Sequence, residues 1–134
     1  MSPSEELQGA IVALLKNDPG VMALVSDIYD RVPREAWDAD EGYISFGPED
    51  VVSDFGGCIE VQNISLQLDI WSRKVGRVHA KRIMHEVRRA MRGLVLSANP
   101  IVAVGAPFQQ VVRDPDGSTT HGILRYEFEI EAHG

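Results

Sequence analysis

The stretch from Ile64 to Arg92 constrains this fold more than any other, because its hydrophobic period changes from two to about 3.6 within a few residues. In ISLQLDIWSR, Ile64, Leu66, Leu68 and Ile70 alternate with Ser65, Gln67 and Asp69. That spacing predicts a strand with one buried face and one wet face. In KVGRVHAKRIMHEVRRAMR, Ala80, Ile83, Met84, Val87, Ala90, Met91 and Leu94 gather on one side of a helix. Arg77, Lys81, Arg82, His85, Arg88, Arg89 and Arg92 gather on the other. The apolar side packs on a sheet and the charged side faces outward. Val78 breaks the pattern, falling on the charged side near the helix start.

Charge is concentrated in the same place. The chain carries a net charge of -7, yet eight bases and one acid lie between Arg73 and Arg92. Five bases and nineteen acids make up the rest. Such a bipolar chain suits contact between copies of itself or with charged neighbours, not a uniform coat for nucleic acid. At 134 residues the expectation is one domain over residues 1–134, large enough to fold without covalent staples. Cys58 stands alone, so no intramolecular disulfide or cysteine-based zinc site is expected. No apolar run reaches the roughly 18 residues of a membrane span, and MSPSEELQG lacks the basic start of a secretory signal. A cytoplasmic setting, at least during assembly, and no membrane partner are the defaults.

Elsewhere the elements follow from caps, breakers and alternation. Ser2, Pro3 and Glu5 form a helix start of capping-box type, and Leu7, Ala10, Ile11, Leu14 and Leu15 share a face behind it. Asp18-Pro19 begins a short turn or helix through Val25, and Pro33 to Gly42 reads as a loop. A strand is expected over Tyr43–Phe46, with Pro48 stopping or edging it. Glu49 to Asn63 reads as a long loop or a projecting hairpin. Ile101–Val104 and Phe108–Arg113 form a third strand region, interrupted at Gly105-Ala106-Pro107 by a bulge or kink. Asp114-Pro115-Asp116-Gly117 is a turn. A last strand runs from about Thr120 to Glu131, with Leu124, Tyr126, Phe128 and Ile130 facing in. The fold expected is a two-layer α+β domain: an antiparallel four-stranded sheet, helices on one face, order α-β-β-α-β-β.

Nothing in the chain has the pattern of a catalytic or metal site. His79 and His85 are six apart and do not share a helical face, and His121 and His133 have no zinc-type neighbours. Counted from Asp114, the twelfth position, where a calcium loop needs glutamate, is Arg125. Cys58 has no base beside it, and no GxSxG, phosphate loop or GxGxxG is present. An enzyme is not expected, and no cofactor or metal is implied. The charged helix face is the serious functional feature. It is either a solvated surface or a contact surface, for phosphates or for acidic patches on proteins. The sheet's outward Ser65, Gln67, Asp69, Glu127 and Glu129 argue against stacking nucleotides on it. The acidic Glu49–Asn63 stretch is a second candidate surface, suited to reaching a neighbour.

Three segments carry a family resemblance. LQGAIVALLKNDPGVMALV followed by IYDRVP resembles the start of a family of small tail-completion or tail-terminator proteins from tailed phages, prophages and Rhodobacter-like gene transfer agents. LQLDIWSRKVGRVHAKRI is similar to that family's central segment, and VVRDPDGSTTHGILRYEFEIEA to its final hairpin. Together, in order, they cover nearly the whole chain. The resemblance implies a fold like the phage lambda tail terminator. It also implies a structural protein of a phage-like particle that forms a hexameric ring at the head-proximal end of the tail. Such a ring ends tail-tube polymerisation and offers the surface for head-tail joining.

The partners so implied are further copies of the chain, the tail tube protein and the head-side connector or stopper, with DNA at most passing through the lumen. Ring closure repeats one head-to-tail contact and needs two complementary patches. The candidates are Arg77, Lys81, Arg88 and Arg92 on one side, and Glu49, Asp50, Asp54, Glu127 and Glu129 on the other. Two alternatives remain: a head-side connector or stopper subunit, and a nucleic-acid-binding regulator that uses the basic helix.

Overall fold

The computed structural model describes residues 1–133. Helix α1 spans Pro3–Lys16; the Ser2 hydroxyl accepts from the Glu5 N–H at 3.1 Å, and Leu7, Ile11 and Leu15 are buried. The one-turn helix α2 spans Pro19–Met22, capped by Asp18, which accepts from the Val21 N–H at 3.1 Å. Strands β1 (Ile28–Tyr29), β2 (Gly42–Gly56) and β3 (Ile59–Ser72) follow, then helix α3 (Val78–Met91). Strands β4 (Ile101–Val104), β5 (Phe108–Arg113) and β6 (Thr120–Ala132) complete the described chain.

The architecture is α+β, but the expected four-stranded antiparallel sheet in the order α-β-β-α-β-β is corrected. Six strands form one sheet in the spatial order β1-β2-β3-β6-β4, with β5 also paired to β6. Along the chain the order is α-α-β-β-β-α-β-β-β. Strand β1 pairs parallel to β2, Ile28 opposite Ile44. Two residues are too few to show alternation, which is why sequence period missed it. The interruption at Gly105-Ala106-Pro107 separates two strands, not two halves of one. Strand β5 pairs with Thr120–Arg125 and β4 with Phe128–Ile130, while the Gly105 N–H donates to the Glu127 carbonyl between them at 2.8 Å.

Pro48 does not end β2. The register shifts between Phe46 and Glu49, and the strand then runs on opposite β3 to the pair Gly56–Ile59. A bulge on an edge strand is where proline's missing N–H is tolerated. Gly57 and Cys58 form the turn. Positive φ at Gly57 alone (68°) fits a type II′ hairpin, which takes glycine at its first central position. Strand β3 is the backbone of the sheet, an unbroken 14-residue run paired on both sides, with β2 and with β6.

The alternation read in β3 and β6 decides which face is buried. Ile64, Leu66, Leu68, Ile70, Leu124, Phe128 and Ile130 join Leu7, Ile11, Leu15, Ile83, Met84 and Val87 in one core. Helix α3 closes tightly on β6 at Gly122, where a Cβ would lie 2.9 Å from Met84 Sδ and 3.2 Å from Ile70 Cβ.

Two buried polar groups lock the helical layer. Glu6 on α1 accepts from the backbone N–H groups of Ser97, Ala98 and Asn99 and from the Asn99 side-chain amide, at 2.9–3.1 Å. These donors, led by the Ala98 N–H, hold its carboxyl down to about 2. His79 sits between Leu24 O (2.9 Å from Nε2) and Ser72 Oγ (2.7 Å from Nδ1). A carbonyl only accepts, so Nε2 carries the proton and Nδ1 accepts from the serine hydroxyl. Burial pushes this histidine below its usual value and keeps it neutral.

Candidate assembly surfaces

The outward face of α3 is basic and largely unpaired. Arg89 donates to Asp18 at 2.6 Å and also pairs with Glu86 at 3.1 Å, tying α2 to α3. Arg88 donates to Gln109 on β5 at 3.0 Å. Arg77, at the helix start, Lys81, Arg82 and Arg92 form no ion pair among the described residues. Lys81, His85, Arg88, Arg89 and Arg92 with Gln109 line one shallow groove between α3 and β5. Three of the four basic residues singled out from sequence, Lys81, Arg88 and Arg92, therefore share one surface, with Arg77 at its N-terminal end.

The acidic candidates divide. Asp50, Glu127 and Glu129 come together on the sheet face away from the helices, around a cavity of about 420 Å³ that Asn63, Ser65 and Gly105 also line. Asp54, opposite Val61, lies farther along the hairpin. Glu49 turns the other way: it pairs with the inward Leu66 and accepts from the Ser4 hydroxyl at the start of α1. It anchors the base of the hairpin to the helical layer and is not part of the acidic sheet face.

The hairpin outside the core, Glu49–Asn63, contains four acids and no base, with exposed Val51, Val52, Phe55 and Ile59. Phe55 is 71% exposed. The Glu60 carboxylate, held down by the Gln62 amide and the Ser53 hydroxyl, stays charged. Cys58 is exposed at the turn.

Sequence reasoning missed an aromatic cluster at the opposite end of the same open face. Trp71 stacks on His121 with centroids 3.9 Å apart, and Tyr43 packs edge-on against both Tyr29 and Trp37. Trp71 donates to Ser45 Oγ at 3.0 Å, and His121 contacts Asp69 at 2.7 Å. Asp69, expected to be outward and wet, is buried beneath these groups. Trp71 falls on the wet face by simple alternation, but its partners came from register across strands, which the sequence does not display. The odd placement of Val78 was a usable signal. It is 59% exposed and lines an apolar groove with Ala23 and Leu24. Among the described residues no cluster of three or more His, Cys, Asp or Glu could hold a metal, and no helix is long and apolar enough to cross a membrane.

The sequence pattern of the tail completion protein gp17 family matches residues 9–131, nearly the whole chain. This chain belongs to that family. It is 28% identical over 134 residues to tail completion protein gp17 of Bacillus phage SPP1, covering 95% of this chain and 93% of the phage protein. Its fold matches the solved structure of SPP1 gp17 with a TM-score of 0.63 at 27% identity, over 93% of this chain and 88% of that one. A subunit in the virion of a native gene transfer agent particle shares the fold with a TM-score of 0.84, 24% identity and 96% of each chain covered. The family is one of structural tail completion proteins, so the surfaces described above are read as contact surfaces and not as a reaction site.

Proposed function

We propose that this protein is a tail terminator: a ring of six copies at the head-proximal end of a phage-like tail, which ends tube polymerisation and presents the surface that joins the head. Membership of the tail completion family frames the reading. The observation that carries it is that unlike charged surfaces lie on opposite sides of one two-layer chain, cations on the outward face of α3 and carboxylates on the bare sheet face. A subunit with two different complementary patches repeats a head-to-tail contact, and that contact closes into a ring when the rotation fits.

In this arrangement Arg77, Lys81, Arg88 and Arg92 meet Asp50, Asp54, Glu127 and Glu129 of the next copy. The remaining surfaces face the tail tube and the head-side connector, and DNA passes through the lumen. Assembly takes place in the bacterial cytoplasm and requires no cofactor or reaction.

Electron microscopy of particles from cells lacking the protein tests the proposal. Tails of uncontrolled length, or finished tails that fail to join filled heads, are the expected result. Normal tailed particles would overturn it. Recovery of the protein on isolated heads and not on isolated tails would move it to the head-side connector.

A further inference from the structure

The hairpin tip and the groove around Val78 are both apolar, both exposed and opposite in charge. The groove lies between α2 and α3, has a volume of about 430 Å³, and is floored by Ala23, Leu24 and Val78 with Lys81, Arg82 and His85 at its rim. Its one acid, Glu86, is already occupied by Arg89. The tip carries exposed Phe55 and Ile59 between Asp54 and Glu60, with no base nearby in sequence.

The groove is also held open before anything binds. Arg89 ties Asp18 to Glu86 across it, and His79 Nε2 donates to the Leu24 carbonyl in its floor. At Gly20 a Cβ would lie 2.1 Å from Glu86 Oε1, so the glycine leaves room for the Glu86–Arg89 pair to lie against α2. A site already in shape loses little free energy in ordering on binding.

Tip and groove cannot meet within one molecule. The turn at Gly57-Cys58 is at the Ile59 end of β3, whereas α3 begins just beyond Ser72 at the other end. At about 3.3 Å per residue the strand separates them by roughly 45 Å. We infer that the hairpin tip, led by Phe55, seats in the α2–α3 groove of a second copy of this chain. Phe55 fills the apolar floor, and Glu60, its cross-strand partner on the same face of the hairpin, meets Lys81 and Arg82, which have no ion-pair partners in their own subunit among the described residues. A single aromatic anchor in a dry seat with charges at its rim is the usual form of a dominant contact. Because tip and seat are different surfaces, each copy gives one and receives one. This deepens the ring proposed above and rests on it.

Cross-linking tests it. Val78→Cys places a thiol in the groove, and the native Cys58 supplies the only other thiol, three residues from Phe55. Isolated tails carrying V78C are treated with a short bis-maleimide and separated under denaturing conditions. The expected result is a ladder of covalent multimers that disappears when Cys58→Ser is added. Phe55→Ala should reduce the ladder at least about tenfold, and Phe55→Leu should restore part of it. Phe55 is exposed, so neither variant should change the melting temperature of the purified chain.

If V78C subunits occupy tail ends but yield only monomer, or if F55A cross-links as fully as the parent, the tip-in-groove contact is wrong and the ring stands. If the protein is abundant in cells yet absent from tail ends, both fall.

Discussion

The two ends of the sheet are built to different rules. At the Ser72 end both faces are covered: α3 and the His79–Ser72 pair lie on one side, and the Trp71–His121 stack with Tyr43 and Trp37 lies on the other. Polar groups there find partners inside the molecule. At the Ile59 end the hairpin keeps Val52, Phe55 and Ile59 in solvent beside four acids that have no base to pair with on the same hairpin. A chain that completes its own interior at one end and leaves apolar surface bare at the other has assigned stability to the first and contact to the second.

The sharpest way to break this division is to truncate a side chain in each half. Leu68→Ala, fully buried in the covered half, should cost about 2–5 kcal/mol. Phe55→Ala should move stability by no more than about 0.5 kcal/mol. Urea midpoints of the purified variants measure both, and a loss at Phe55 comparable to that at Leu68 would dissolve the contrast.

Acid should act next, through the two buried polar groups of the interior. His79 is held below its usual value of 6.5, so the unfolded chain takes up that proton first and stability falls as pH drops below 6.5. Glu6 is held at about 2 against an ordinary 4.5, so its contribution is complete above 4.5 and is lost as pH falls towards 2. Stability followed by urea unfolding across this range should decline in two stages. His79→Gln should flatten the upper one. Glu6→Gln should reduce the lower one without abolishing it, because Asp18 and Asp116 are also held below their usual values.

The smallest effect on folding is expected from Arg88→Glu with Arg92→Glu. Stability should stay within about 0.5 kcal/mol of the parent, since both side chains are exposed. Recovery of the protein on tail ends should nevertheless fall, as scored by immunoblot of isolated tails. Retention at the parent level would remove the basic helix face from the interface.

Legibility followed the same division. The join from β3 into α3 could be read because burial on one face imposes a period on each element in turn, and Ile64, Leu66, Leu68 and Ile70 state it without ambiguity. The six-strand count could not, because β1 is two residues long and β4 and β5 are distinguished only by where each pairs on β6. Glu6 lies in the first turn of α1 beside the legible Glu5, but its donors at Ser97, Ala98 and Asn99 lie more than ninety residues away and no local pattern announces them. Of the candidate contact residues, the helix cations are adjacent by helical period alone. Asp50, Glu127 and Glu129 become neighbours only through strand register, and the bulge after Phe46 is what turns Glu49 away from them.

The unbroken length of β3 has a mechanical side. Because no bulge interrupts it and a strand is paired along each of its edges, bending it would strain two ladders at once, and it acts as a stiff lever. Over roughly 45 Å, a tilt of about 5° at the covered end swings the hairpin tip by about 4 Å. That is nearly the spacing of neighbouring strands, so a slight change in the pose of one subunit is enough to shift where it touches the next.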